Sequence, residues 1–304
     1  MNSNKIDLQK FKPEGNLELL AKQMVEGFIT GLHKSPYHGF SVEFAEHRSY
    51  NTGESTRHID WKIYARTDKL FIKKYEEETN LRCMILLDTS SSMHYPQKGV
   101  SKFQTAATLC AALAFLLQKQ RDAFGLTCFS DQIENQTPIK STAGHLHKVL
   151  LQLNGLLENK TIERKTAMAE TLHEISTKLH RRSLVIIFSD MMENEQQIDQ
   201  LMTSLQHLKH NKHEILLFHV TDKKTEQSFE FTERPHEFID IESGEKIKLN
   251  PSQIKKHYQQ AMSSYLQQLR IRCGQAKIDL VEVDINDDYQ HVLSSYLLKR
   301  AKMK

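Results

Sequence analysis

Nothing in this chain of 304 residues has the length of a membrane-crossing segment. No window approaches the roughly 18 consecutive apolar residues that a transmembrane helix needs. The N-terminal stretch MNSNKIDLQKFKPEG is polar and carries no apolar signal core. Cysteine is scarce: Cys83, Cys110, Cys128 and Cys273 show no C-x-x-C spacing, and three of them lie in apolar runs. They are expected to be buried, reduced thiols without chemistry of their own, which fits a reducing compartment and an expected cytoplasmic location. An excess of one charge is missing too. The 41 Lys and Arg residues face 38 Asp and Glu, and the resulting +3 is scattered, so no basic stripe points to nucleic acid or anionic lipid. The chain has no G-x-x-x-x-G-K-[ST] loop to cradle nucleotide phosphates, no G-x-S-x-G elbow and no H-E-x-x-H pair, which excludes those routes to ATP binding and hydrolysis. Internal repeats and low-complexity tracts are absent.

What is present is enough apolar material, 39% of residues, to fill the core of an ordinary folded protein. Sixteen histidines are many for this length. Only His207, His210 and His213 recur at even spacing; they straddle a helix end and a loop, and a solvated surface is expected rather than a metal site. Residues 16–33 place Leu17, Leu20, Met24, Val25 and Phe28 on one helical face, with Gly31 as the expected stop. From Phe40 to Glu77 the pattern turns to short β-rich pieces, FSVEF and KLFIKKY, with a turn signal at Asn51 to Glu54 and no long helical pattern.

From Arg82 onward strands and helices alternate. Strands are expected at 83–88, 123–130, 183–190, 213–220 and 278–284, with a short edge strand at 132–139. Helices are expected at 102–119, 145–157, 167–180, 194–209, 251–272 and from about 287, and SFEFTE and EFIDIESGEKIKL read as a β excursion turning at Ser243 and Gly244. On the long helix Ile254, Tyr258, Met262, Tyr265 and Leu269 share a face that suits packing on a sheet. Apolar strands alternating with helices imply a doubly wound α/β fold around a mostly parallel sheet. The chain therefore divides into an N-terminal helical segment (1–36), a small β-rich module (37–80) and an α/β domain (81–304).

One stretch carries chemistry. In ILLDTSSSM (85–93) a buried strand runs into an acid and a series of hydroxyls. In a doubly wound sheet ligands bind beyond the carboxyl ends of strands, and Asp88, Ser90 and Ser92, a D-x-S-x-S array, stand there. One carboxylate and two hydroxyls are hard oxygen donors suited to Mg²⁺ or Mn²⁺. Thr166, just before a helix, and Asp190, at the end of a second apolar strand, offer further oxygens at the same edge. Each residue also has a purely structural use: Ser90 to Ser92 as a helix cap, Thr166 as the N-cap of the helix at 167–180, Asp190 as an Asx-turn.

Taken together these residues resemble a von Willebrand factor A domain with its metal-ion-dependent adhesion site. The resemblance implies Ser90, Ser92 and Thr166 as hydroxyl ligands, Asp88 and Asp190 acting directly or through water, and an open coordination position filled by a partner's carboxylate. SDMME stands here where many members have T-D-G. The preceding segment is similar to the bacterial family catalogued as domain of unknown function 58, whose signature block appears as Tyr50, Gly53, Glu54, Arg57, Ile59, Asp60, Trp61, Ala65, Arg66 and Thr67. Arg57, Asp60 and Arg66 are expected to form an ion-pair set around the single tryptophan, Trp61, its ring buried against the sheet.

That family is commonly encoded beside MoxR-type AAA+ ATPases. The resemblance implies a non-enzymatic, Mg²⁺-dependent protein-binding adaptor for such an ATPase or its client. Two other functions remain open. Asp88 matches the nucleophile of haloacid-dehalogenase phosphatases, but Ser90 takes the place of their acid. RNA binding, known among A domains, would rest on His180, Arg181 and Arg182 and on Lys223 and Lys224, short clusters at element boundaries where solvated charge is expected.

Overall fold

The computed structural model describes residues 17–33, 47–49, 61–73, 81–158, 168–179, 182–192, 195–241 and 244–302. They fall into two compact units, one drawn from Met1–Phe28 together with Leu81–Lys304, the other from Ile29–Asn80.

The first helix, α1 (Leu17–His33), buries Leu17, Leu20, Met24, Val25 and Phe28, the face that 3.6-residue spacing marks. It runs through Gly31, so that glycine does not stop it. In the smaller unit β1 (His47–Ser49) pairs antiparallel with β2 (Phe71–Lys73), and α2 (Trp61–Thr67) lies between them in sequence. A helix of seven residues spans two turns, too few to leave a period in a segment that otherwise reads as β. The FSVEF piece and the Asn51–Glu54 turn lie outside the described residues.

In the larger unit the elements follow as β3 (Arg82–Asp88), α3 (Lys102–Lys119), β4 (Ala123–Phe129), β5 (Ile133–Gln136), α4 (Ala143–Glu158), α5 (Met168–Lys178), β6 (Leu184–Ser189), α6 (Glu195–His210), β7 (Glu214–Thr221), β8 (His236–Ile239), β9 (Lys246–Leu249), α7 (Pro251–Gln275), β10 (Asp279–Asp284) and α8 (Gln290–Lys302). The central sheet has the order β10-β7-β6-β3-β4-β5, parallel throughout except for β5, which runs antiparallel on the edge. This is the doubly wound α/β architecture around a mostly parallel sheet that the alternation of apolar strands and helices implies.

The apolar pattern explains the layers. Strands β3 and β6 are buried from end to end apart from Arg82, as unbroken apolar runs are when both faces of a parallel strand are covered. Successive side chains point to opposite faces. Met84 and Leu86 of β3, Val185 and Ile187 of β6, and Ile215 and Leu217 of β7 join the core under α5, α6 and α7. The other face is covered by α3, whose Ala- and Leu-rich circumference is almost wholly buried, with α4 packed on it and α8 tied to its end by Tyr296 Oη donating to Gln120. A capping box starts α3: Ser101 Oγ accepts from Gln104 N at 3.1 Å, and Gln104 Oε1 accepts from Ser101 N at 3.0 Å. Ser101→Ala is expected to lower stability by about 1 kcal/mol, read from the urea midpoint at unchanged slope.

Two expectations are corrected here. SFEFTE (228–233) forms no strand; Lys223–Gln227 instead makes a single π turn, and Phe229 follows at φ 50°. Aromatic packing overrides β propensity, because Phe229 stacks on Phe238 and Tyr258 at 5.6 and 4.4 Å while β8 and β9 close into a hairpin. His213 is buried, its Nδ1 accepting from Ser183 N at 3.3 Å, although His207 and His210 are exposed as expected. Its ring replaces water as the acceptor for a backbone amide at a strand start.

The chain leaves β3 for β4 on one side and returns to β6 on the other. The carboxyl ends of β3 and β6 therefore flank the point where strand order reverses.

Candidate functional site

Asp88 closes β3 and Asp190 follows β6, and both are essentially inaccessible. Each Asp88 oxygen is held: Oδ1 accepts from Ser90 N at 2.9 Å, and Oδ2 from the Ser189 hydroxyl at 2.7 Å. The chain then turns into a short 3₁₀ helix, Ser91–His94. Ser90 sits at its N-cap position, yet its side chain makes no capping bond. The hydroxyl lies instead 3.1 Å from that of Ser92. The helix-cap reading of these serines is thereby set aside, and α3 has its own cap in Ser101.

The sheet thus brings together four of the five expected donors, Asp88, Ser90, Ser92 and Asp190; Thr166 lies outside the described residues. Adjacent oxygens of an octahedron built at about 2.1 Å lie roughly 3.0 Å apart, so the spacing of the serine pair suits two neighbouring ligands of a small divalent cation. Among the described residues no group of three or more His, Cys, Asp or Glu side chains converges for a metal, so hydroxyls have to supply part of any donor set.

Electrostatics distinguish the two acids. Burial, reinforced by the charge of Asp190, pushes the Asp88 carboxyl up to about 7, against the pull of its bonds from Ser90 and Ser189. Burial acts on Asp190 as well, but the Lys102 ammonium beside it outweighs that, and with bonds from Ser92 and Met192 N its carboxyl is held below the usual range. Among the described residues Asp88 is therefore the acid left without a cation.

Sequence reasoning did not single out Lys102. It is the first residue of α3, its side chain is 1% exposed, and its Nζ donates to Asp190 Oδ2 at 2.7 Å and to Glu226 Oε1 at 2.5 Å. Burial would lower its pKa; the two carboxylates raise it instead. The signal was available in the sequence: a cation at the start of a helix that is otherwise apolar on nearly every face, where the helix dipole disfavours it. Glu226 comes from the π turn after β7. Its Oε2 accepts from Asp222 N at 2.8 Å, and its carbonyl accepts from Tyr258 Oη of α7 at 2.8 Å.

The residue after Asp190 explains how SDMME replaces T-D-G. Met191 adopts φ 52°, a left-handed conformation that glycine takes freely and that costs other residues about 1 kcal/mol or more. Its side chain is 1% exposed within the α5, α6 and α7 core, and that burial offsets the strain. Ser189 Oγ accepts from Met191 N at 3.0 Å, and buried His219 Nε2 donates to the Asp190 carbonyl at 2.8 Å, so the turn is pinned from both sides.

Of the expected ion-pair set, Arg57 and Asp60 lie outside the described residues, as does the Trp61 side chain. Arg66 lies in the last turn of α2 and is exposed. Lys223, one of the cations behind the RNA reading, lies 3.5 Å from Asp287.

A family model described as "Protein of unknown function DUF58" matches residues 46–268. The uncharacterized protein Rv1480 of Mycobacterium tuberculosis is 24% identical over 176 residues, 58% of this chain and 55% of that protein. The chain thus spans about half the length of the curated relatives it matches. Among solved structures, the conserved hypothetical protein BatB from Bacteroides thetaiotaomicron is 15% identical with a TM-score of 0.45, over 73% of this chain and 99% of that one. An aerotolerance-related membrane protein from Bacteroides fragilis is 14% identical with a TM-score of 0.46, over 72% and 99%. Likenesses at this level speak to no function. No helix among the described residues is long and apolar enough to cross a membrane.

Proposed function

Starting from a chain that belongs to the DUF58 family, we propose that it is a non-enzymatic, divalent-metal-dependent protein-binding adaptor that works with a MoxR-type AAA+ ATPase or its client. The observation that carries this reading is Asp88: a fully buried carboxylate with no cation of its own among the described residues, beside a pair of serine hydroxyls 3.1 Å apart, at the switch point of the sheet. Asp190 and Glu226 share one ammonium, Lys102, while the third carboxylate, Asp88, lies within reach of the charge of Asp190. Fully ionised they leave two negative charges, which a divalent cation neutralises.

Asp88, Ser90, Ser92 and Asp190 would hold the ion, with Thr166 as a further candidate ligand. Mg²⁺ or Mn²⁺ bound there supplies an electrophilic position for a carboxylate of the partner. The residues of the chain do the rest. Ser189 orients Asp88, Lys102 and Met192 N orient Asp190, and burial at the mouth of the sheet strengthens attraction for an incoming acid. A phosphatase role for Asp88 is disfavoured because both of its oxygens already accept bonds and no second acid stands at Ser90. The four cysteines are buried and form no disulfide, which supports action in a reducing cytoplasm.

The test is direct binding between this chain and a purified MoxR-type ATPase from the same genome, by calorimetry in Mg²⁺ and in EDTA, with Asp88→Ala alongside. Binding is expected only for the unaltered chain in Mg²⁺. Equal affinity in all three conditions would remove the metal from the interaction.

A further inference from the structure

Lys102 occupies an expensive position. Its side chain is 1% exposed, and it opens α3, where the helix dipole already places positive potential. An ammonium stays there only because two carboxylates from different elements close on it: Asp190 from the end of β6 at 2.7 Å and Glu226 from the π turn at 2.5 Å. The Tyr95 ring stands 5.8 Å from Nζ and adds a weaker attraction. The carboxylates are nearly as buried as the cation, with side chains 4% and 14% exposed. One of the two, Asp190, is also a candidate metal donor, so the oxygen nearest the ammonium is one that a divalent ion would draw upon.

We propose that Lys102 is the resident cation of this site, a positioning residue that sets its affinity for divalent metal by neutralising Asp190 and Glu226 and competing with the ion for Asp190. The inference rests on the metal reading above. Without the ammonium, Asp190 and Glu226 become uncompensated buried charges. The metal-free fold weakens, and the pocket, now with three negative charges in place of two, draws a divalent ion more strongly. The same ammonium joins the start of α3, the end of β6 and the turn after β7, so the Glu226 turn and the metal share one counterion.

The experiment is Mn²⁺ titration by calorimetry, with thermal unfolding in EDTA and in Mn²⁺, on the unaltered chain and on Lys102→Met, Lys102→Arg, Glu226→Gln and Asp88→Asn. Lys102→Met is expected to bind Mn²⁺ about tenfold tighter or more and to melt lower in EDTA, with a larger recovery on adding Mn²⁺. Lys102→Arg keeps the charge and is expected to stay within about threefold of the unaltered chain, while Glu226→Gln, with one negative charge fewer, is expected to bind at least about threefold more weakly. Tight Mn²⁺ binding by Lys102→Met where the unaltered chain binds none also supports a resident cation. If Asp88→Asn abolishes binding but Lys102→Met binds like the unaltered chain, the role of Lys102 is overturned and the metal reading survives. If no protein in the set binds Mn²⁺, both fall. Should Lys102→Met not fold, unchanged affinity in Glu226→Gln overturns the inference.

Discussion

Asp88→Asn is expected to make the metal-free protein more stable than the unaltered chain at pH 8, by an amount that vanishes near pH 4. Burial lifts the folded-state carboxyl from 3.8 to about 7. The folded state therefore keeps a proton that the unfolded chain gives up at acid pH. Between the two values the native state binds more protons, and stability falls as pH rises. The contribution is intact below pH 4, is lost progressively up to about pH 7, and is gone above it. At 1.36 kcal/mol per unit the span amounts to about 4 kcal/mol, an order-of-magnitude figure for an acid coupled to Asp190. Asparagine cannot ionise, and its amide can still accept from Ser90 N and donate to the Ser189 hydroxyl, so the fold loses little. Urea unfolding in EDTA from pH 5 to 8 isolates the effect as the difference between the two proteins, since buried His213 and His219, whose burial lowers them, titrate alike in both. Parallel profiles would mean that Asp88 has a cation or solvent after all. Saturating Mg²⁺ is expected to close the gap at pH 8 by stabilising only the chain that retains the carboxylate.

This prediction draws on a part of the site that was readable in the sequence. D-x-S-x-S after a buried strand, and an acid after another, could be placed at one edge because β3 and β6 are apolar without alternation and thus central in a parallel sheet. Asp190 follows from that logic, and the residue after it, Met191, takes a left-handed φ of 52° although it is not glycine. Lys102 left one sign in the sequence, a cation at the start of an apolar helix, but its partner did not: only tertiary structure brings Glu226, 124 residues away, onto its ammonium. The π turn was missed for a related reason. Alternating phenylalanines at 229 and 231 look like a strand, but they pack on Phe238 and on Tyr258 of α7 rather than on a partner strand. His213 shows the same limit in small: period and polarity suggested a surface, while its ring accepts from the Ser183 amide inside the fold. Helix bounds were recovered to within a few residues wherever apolar spacing was long, as in α3 and α7.

Phe188→Ala is expected to be the most damaging single truncation near the site. The ring is fully buried in β6, one of the two strands that flank the switch point, and stacks on Phe218 of β7 with centroids 4.7 Å apart and planes 16° apart. In register it also faces Leu87 of β3, the residue before Asp88. Removing it opens a cavity that strands hydrogen-bonded on both sides cannot collapse to fill, a loss of about 3–5 kcal/mol in urea unfolding. Phe188→Leu, which retains most of the apolar volume, is expected to cost distinctly less. The two substitutions argued here respond to metal in opposite ways. Asp88→Asn loses the response to Mg²⁺ while gaining stability in EDTA at high pH. Phe188→Ala loses stability in both conditions and keeps a metal-induced gain, because Asp88 and the serine pair remain. Its affinity for Mn²⁺ is nonetheless expected to fall. Phe188 precedes Ser189 and Asp190, and their aim at the mouth of the sheet depends on how firmly the end of β6 is seated against β7. Unchanged affinity together with the full stability loss would show that the Ser189 and His219 hydrogen bonds are sufficient to hold the turn without the packing beneath it.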